Sequence, residues 1–129
     1  MKRRILIVED NVGLSQMQKD WFAQAGYDAV TAISEPIARS LIRKTTFDMI
    51  LSDVRLPEGN GISLLEWIRR EKKDIPFIIT TEYVSVPDVV RTIKLGAIDY
   101  LPKPVHREHL LELAEDVFKP MVTVRKRKR

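Results

Sequence analysis

Apolar residues along this chain follow two alternating rhythms. Short unbroken runs have the length and content of strands buried on both faces, and between them apolar residues recur every three or four positions, as on one side of a helix. The first run, RILIVE (4–9), is followed by Leu14, Met17, Trp21 and Phe22, which predict a helix over 12–25 that stops at Gly26. YDAVTAI (27–33) predicts a second strand. Ser34, with Pro36 two residues on, opens a helix bearing Ile37, Ala38, Leu41 and Ile42 on one side. DMILSD (48–53) is the third strand, and a loop over 54–61 leads to a helix marked by Leu64, Leu65 and Ile68. Pro76 introduces FIITT (77–81) as the fourth strand. Pro87 starts a helix with Val89, Val90 and Ile93, closed by Gly96. AIDYL (97–101) is a short fifth strand, PKP (102–104) a turn, and Leu110, Leu111, Ala114 and Phe118 mark a last helix ending before Pro120.

Five strand–helix units with uniformly apolar strands predict an α/β fold: one doubly wound, five-stranded parallel sheet with helices on both faces and right-handed crossovers. Strand order is not readable from periodicity. The flavodoxin-like order 2-1-3-4-5 is expected because it suits five such units in one layer. No internal repeat or low-complexity segment interrupts the pattern.

The 129 residues make one domain by length, with 44% hydrophobic and 31% charged residues. The absence of cysteine excludes disulfides, thiolate metal sites and a cysteine nucleophile. The basic start, MKRR, opens like a signal peptide, but its apolar run ends after four residues at Glu9 and Asp10, and no later stretch nears the roughly 20 apolar residues of a membrane span. A cytoplasmic protein without membrane contact is expected. The net charge of +4 belongs to the end of the chain: removing RKRKR (125–129) leaves 17 basic against 18 acidic residues. Residues 1–120 are therefore read as the domain and 121–129 as a basic tail or the start of a linker. The tail lacks the aromatic residues that would sharpen a nucleic-acid reading.

The chemistry gathers at strand ends. In open parallel sheets ligands sit beyond the carboxyl ends of the strands. Here those ends carry Glu9 and Asp10, Asp53, Thr80 and Thr81, and the fifth strand leads into Lys103. Two carboxylates about 5 Å apart repel by roughly 3 kcal/mol at an effective dielectric of about 20, so three acids facing one lysine imply a cation. All the donors are hard oxygens, which selects Mg²⁺ or Mn²⁺, and Mg²⁺ commonly completes its shell with a phosphate oxygen. His106 and His109, three apart, lack further ligands and read as surface residues; Trp21 and Trp67 read as helix residues packed on the sheet.

These residues, in ILIVED, DMILSDVRLPEGNG, PFIITTEY and GAIDYLPKP, resemble the receiver domain of two-component response regulators over nearly the whole chain. The resemblance implies that Asp53 accepts a phosphoryl group from a phosphohistidine of a sensor histidine kinase. It implies that Asp10 binds Mg²⁺ directly, Glu9 mainly through a metal-bound water, and Asp53 and the backbone carbonyl of Arg55 complete the protein's ligands. Lys103 would pair with a phosphoryl oxygen and Thr81 would bond the bound group. Tyr100 matches the aromatic whose ring turns inward as that hydroxyl moves. Thr81 is preferred to Thr80 because it lies five residues after Pro76, the family's spacing. Pro57 and Gly61 match the turn after the phosphorylated aspartate, and Lys103-Pro104 a peptide bond usually cis in the family.

The implied function is a phosphorylation-dependent switch that signals through the face of the fourth helix, fifth strand and fifth helix, and that catalyses only its own phosphorylation and dephosphorylation. Expected partners are the kinase, an output domain or downstream protein, and a second copy on phosphorylation; DNA would be reached only through an output domain absent from this chain. DVRLPEGNG and VSVPDVV resemble receivers of transcription activators of the nitrogen-regulator type. Glu82 stands where the family often has a small residue; it reads either as a solvent-facing glutamate or as an extra carboxylate that repels anionic donors or holds Lys103, and Arg55 and Glu58 are expected at the same mouth. The alternatives are a phosphorylation-independent interaction module and a haloacid-dehalogenase-type phosphatase. The latter is disfavoured because Arg55 stands where such enzymes carry a second aspartate, and nucleotide binding is disfavoured because no phosphate-cradling glycine loop is present.

Overall fold

A computed structural model describes residues 2–119. The basic tail, 121–129, and Pro120 lie outside the described residues. The elements are β1 (Arg4–Val8), α1 (Val12–Gln24), β2 (Asp28–Ala32), α2 (Glu35–Lys44), β3 (Met49–Asp53), β4 (Arg55–Leu56), β5 (Gly59–Asn60), α3 (Gly61–Arg70), β6 (Phe77–Thr81), α4 (Val86–Lys94), β7 (Asp99–Pro102) and α5 (Arg107–Val117). β1, β2, β3, β6 and β7 form one parallel sheet in the order β2-β1-β3-β6-β7, the predicted order once the small hairpin β4-β5 is set aside.

Side chains alternate across each strand, so the sheet has two separate cores. Leu6, Val8, Ile50, Phe77 and Ile79 pack with Ala38 and Ile42 of α2 and with Leu64, Leu65 and Ile68 of α3. On the other face Ile5, Ile7, Met49, Leu51, Ile78 and Leu101 pack with Phe22 of α1 and Leu110 and Ala114 of α5. Extending that alternation puts Glu9 after Ile7, Asp53 after Leu51 and Lys103 after Leu101. All three therefore leave the sheet on the α1–α5 side.

The structure corrects the periodicity in several places. The loop over 54–61 contains the two-residue antiparallel strands β4 and β5, too short to show a period. The fifth strand begins at Asp99 and runs through Pro102: Gly96 adopts φ +76° after α4, and the Ile98 amide then meets Phe77 O at 2.7 Å, leading into the ladder. On α4, Val90 and Ile93 are exposed while Thr92 is the buried residue, its hydroxyl bonded to Val89 O. Met17 and Ile37 are likewise exposed, and Ser15 and Gln18 face inward on α1. Trp67 is buried in the α2–α3 core with the guanidinium groups of Arg39 and Arg43 over its ring, whereas Trp21 is half-buried on the α1–α5 side.

Candidate functional site

Each site residue owes its position to the sheet ladder. The Glu9 amide donates to Ala32 O at 2.9 Å and that of Lys103 to Thr81 O at 2.7 Å, carrying the parallel pairing one residue beyond β1 and β7. Asp53 is the last residue of β3 and lies opposite Thr80 of β6. The effect is that Lys103 Nζ donates to Glu9 Oε1 at 2.9 Å and to Asp53 Oδ2 at 3.0 Å. Glu9 Oε2 accepts the Asn11 amide at 3.1 Å, and Asn11 Oδ1 caps α1 through the Leu14 amide.

Glu9, Asp10 and Asp53 each place a carboxylate oxygen within 4.8 Å of the other two. Glu9 and Asp53 are buried and Asp10 is exposed, so the cluster has one open side. Burial raises the Glu9 carboxyl above its ordinary value, as does the nearby Asp53, against the lowering effect of Lys103 and the Asn11 amide. Burial also pulls on Lys103, but its bonds to Glu9 and Asp53 outweigh that and its pKa is raised. Lys103 is thus firmly charged. One ammonium between three carboxylates leaves a surplus of negative charge, and the oxygen-only donor set fits a hard divalent cation.

The remaining predicted residues fall around this centre. Thr81 ends β6, but its hydroxyl is engaged with the following loop, accepting from the Tyr83 amide at 3.1 Å and donating to Tyr83 O at 3.0 Å. Thr80 is the residue in register with Asp53. Tyr100 is half-buried against the α2–α3 core, with its hydroxyl 3.5 Å from the Ser85 amide. Arg55 opens β4, and its guanidinium lies 4.8 Å from the centroid of the Tyr83 ring. The Lys103–Pro104 peptide is cis. Gly61 is buried, and a Cβ there would overlap Asp53 O and crowd Ser52 Oγ.

Two expectations at the mouth change. Glu82 and Lys103 line the same groove with Leu14, Met17 and Val105, yet the ion pairs of Lys103 among the described residues go to Glu9 and Asp53, which lie closer to the sheet; Glu82 does not hold it. Glu58, at φ +58° beyond the exposed Pro57, lines a hollow with Glu35, Arg39 and Arg43, away from the acidic cluster. His106 is the N-cap of α5 without a side-chain cap bond, and neither it nor His109 joins a metal-binding group among the described residues. Sequence reasoning missed Tyr83, Asn11, Asn60 and Glu35. Only Asn11 and Asn60 carried a signal, as capping residues ahead of helical patterns.

A doubly wound sheet with an acidic triad and a lysine at its carboxyl rim defines an α/β domain whose strand-end site suits a hard cation. The particular family follows from comparison. Residues 5–115 match the response regulator receiver domain, and the chain belongs to that family. It is 36% identical over 115 residues to the transcriptional regulatory protein ZraR of Salmonella typhimurium, covering 86% of this chain and 25% of that protein. Against the response regulator protein PilR of Pseudomonas aeruginosa it is 31% identical over 112 residues, covering 87% of this chain and 25% of that protein. The chain therefore spans about a quarter of the length of these curated relatives. Among solved structures, a CheY-like receiver domain protein from Methanospirillum hungatei superimposes with TM-score 0.86 at 30% identity, covering 91% of this chain and 94% of that one. The non-phosphorylated HemR receiver domain from Leptospira biflexa gives TM-score 0.83 at 37% identity, with 92% and 98% covered. No helix among the described residues is long and apolar enough to cross a membrane.

Proposed function

We propose that Asp53 is the phosphoacceptor of a phosphorylation-controlled switch, supplied by the phosphohistidine of a sensor histidine kinase. The observation that carries this reading is the lysine bridge: Lys103 bonded at once to Glu9 and Asp53 inside a triad of carboxylates. An Asp53 carboxylate oxygen forms the new bond to phosphorus as the phosphorus–nitrogen bond of the donor breaks, its electron pair leaving with the imidazole. A carboxylate is ionised at neutral pH and needs no base for this. Lys103 is placed to turn from Asp53 to a phosphoryl oxygen, and the Thr81 hydroxyl to leave Tyr83 for another. Mg²⁺ or Mn²⁺ would be held by Asp10, Asp53, the Arg55 carbonyl and, through water, Glu9, and when bound supplies positive charge against the phosphoryl oxygens.

Release of Thr81 from Tyr83 frees the loop after β6, which carries the exposed Val84 and leads to the exposed Val86, Val90 and Ile93 of α4. That apolar stripe supports the reading of α4, β7 and α5 as the output face. Shifting such a switch from about 1:99 to 99:1 needs roughly 5.5 kcal/mol of preference for the active state, so lysine, threonine and metal contacts must all contribute. The output is proposed to be transcriptional, through further domains, as the name of ZraR says of that protein. Turnover of free substrates is not expected, and neither is membrane attachment. Incubation with Mg²⁺ and acetyl phosphate should add the mass of one phosphoryl group to the intact chain, and Asp53→Asn or removal of metal should abolish the gain. An unmodified, folded wild-type chain would favour the phosphorylation-independent interaction module.

A further inference from the structure

The most buried acid outside the triad is Glu35, with its side chain 6% exposed. A first-turn glutamate ordinarily faces solvent and favours its own helix through the dipole and an i,i+4 partner. Glu35 has such a partner, since Arg39 Nε donates to its Oε2 at 3.0 Å. Its other oxygen does something different: Oε1 accepts the backbone amide of Asn60, 25 residues away, at 2.9 Å. The approach is close enough that a Cβ on Gly59, at φ +147°, would overlap Glu35 Oε1. Behind it the Arg39 guanidinium lies 5.0 Å from the Trp67 ring centroid, tying the assembly to α3.

Asn60 is the residue through which this contact reaches the site. It pairs across the hairpin with Arg55, two residues beyond Asp53, and its side chain caps α3 through the Ser63 amide at 2.8 Å. The next amide, Gly61, donates to Val54 O at 2.8 Å. A hairpin of two residue pairs has little stability of its own. A charge-assisted bond from a buried carboxylate is the strongest hold on it.

We propose that Glu35 is a positioning residue for the metal site: from the start of α2, against β5, it locks Asn60 and so fixes the backbone of Arg55. This rests on the reading of the Arg55 carbonyl as a metal ligand. It explains why a glutamate is buried at the start of α2 when Ser34 already caps that helix.

The test compares the full chain with Glu35→Ala and Glu35→Gln, following Asn60 amide exchange by NMR and Mg²⁺ affinity by calorimetry, with core β1 amides as the control for global stability. Glu35→Ala is expected to speed Asn60 exchange about tenfold or more in metal-free protein, beyond any change in the core amides. It is also expected to weaken Mg²⁺ binding about tenfold. Glu35→Gln, an uncharged acceptor, should lie between, about threefold in each. Values indistinguishable from wild type, or losses that merely track the core amides, overturn the proposal. If the alanine variant does not fold, the glutamine variant decides by the same criterion. A wild-type chain that binds no Mg²⁺ sinks the proposed metal site instead; the clamp then stands or falls on Asn60 exchange alone.

Discussion

Neighbouring strands β3 and β6 both end in site residues, yet the loops that leave them are built in opposite ways. After β3 the chain is braced at every step: Val54 amide to Thr80 O, Asn60 amide to Glu35, Gly61 amide to Val54 O, and the Asn60 side chain to Ser63. After β6 the loop is held by the Thr81–Tyr83 bonds and a long contact from Ser85 to Tyr100, and Tyr83 and Val84 are each more than 60% exposed. Under the proposed function the difference has a reason. The loop after β3 would carry a metal ligand and must not move, whereas the loop after β6 would report the phosphoryl group and must.

The strongest way to break this comparison is to substitute the braced loop at its closest backbone contact and the loose loop at a side chain that it leaves in water. Gly61→Ala pushes a Cβ into the Asp53 carbonyl, backbone that cannot step aside, and should cost about 3 kcal/mol of unfolding free energy in urea melts. Val84→Ala, at a side chain mostly in water, should stay within about 0.5 kcal/mol. Equal costs would mean that the two loops are equally embedded.

The helix caps give a finer test. Asn60 Oδ1 meets the Ser63 amide at 2.8 Å, while Ser85 Oγ meets the Asp88 amide at 3.4 Å. Asn60→Ala should therefore cost about 1 kcal/mol and Ser85→Ala about half that, read by thermal unfolding. A larger loss at Ser85 would show that the start of α4 is anchored as firmly as that of α3.

The buried strands were more legible in the sequence than the loops that leave them, for physical reasons. Strands buried on both faces announce themselves as apolar runs, so β1, β3 and β6 fall within a residue of the expected bounds, and the acids at their ends follow. α4 misled because its apolar residues keep helical spacing while Val90 and Ile93 face water; periodicity reports an apolar face and not what covers it. Glu35 was invisible for the opposite reason. A first-turn acid is so common that nothing local distinguishes one that reaches 25 residues along the chain. The mouth was no plainer: the sequence leaves Glu82 either facing solvent or holding Lys103, and only the ladder shows that Glu9 and Asp53 lie nearer.

The smallest expected effect is also the most exacting for the loose loop. The Tyr100 hydroxyl sits 3.5 Å from the Ser85 amide, at the outer limit of a hydrogen bond, where little energy remains. Tyr100→Phe keeps the ring packed against the α2–α3 core and removes only that contact. The free energy of unfolding should then change by less than about 0.5 kcal/mol, and the Ser85 amide should exchange no faster than in wild type. A cost of about 1 kcal/mol or more, with faster exchange at Ser85, would show that Tyr100 latches the loop after β6. The loop would then be held by side chains as the loop after β3 is, and its freedom to answer a phosphoryl group would have to come from breaking that latch.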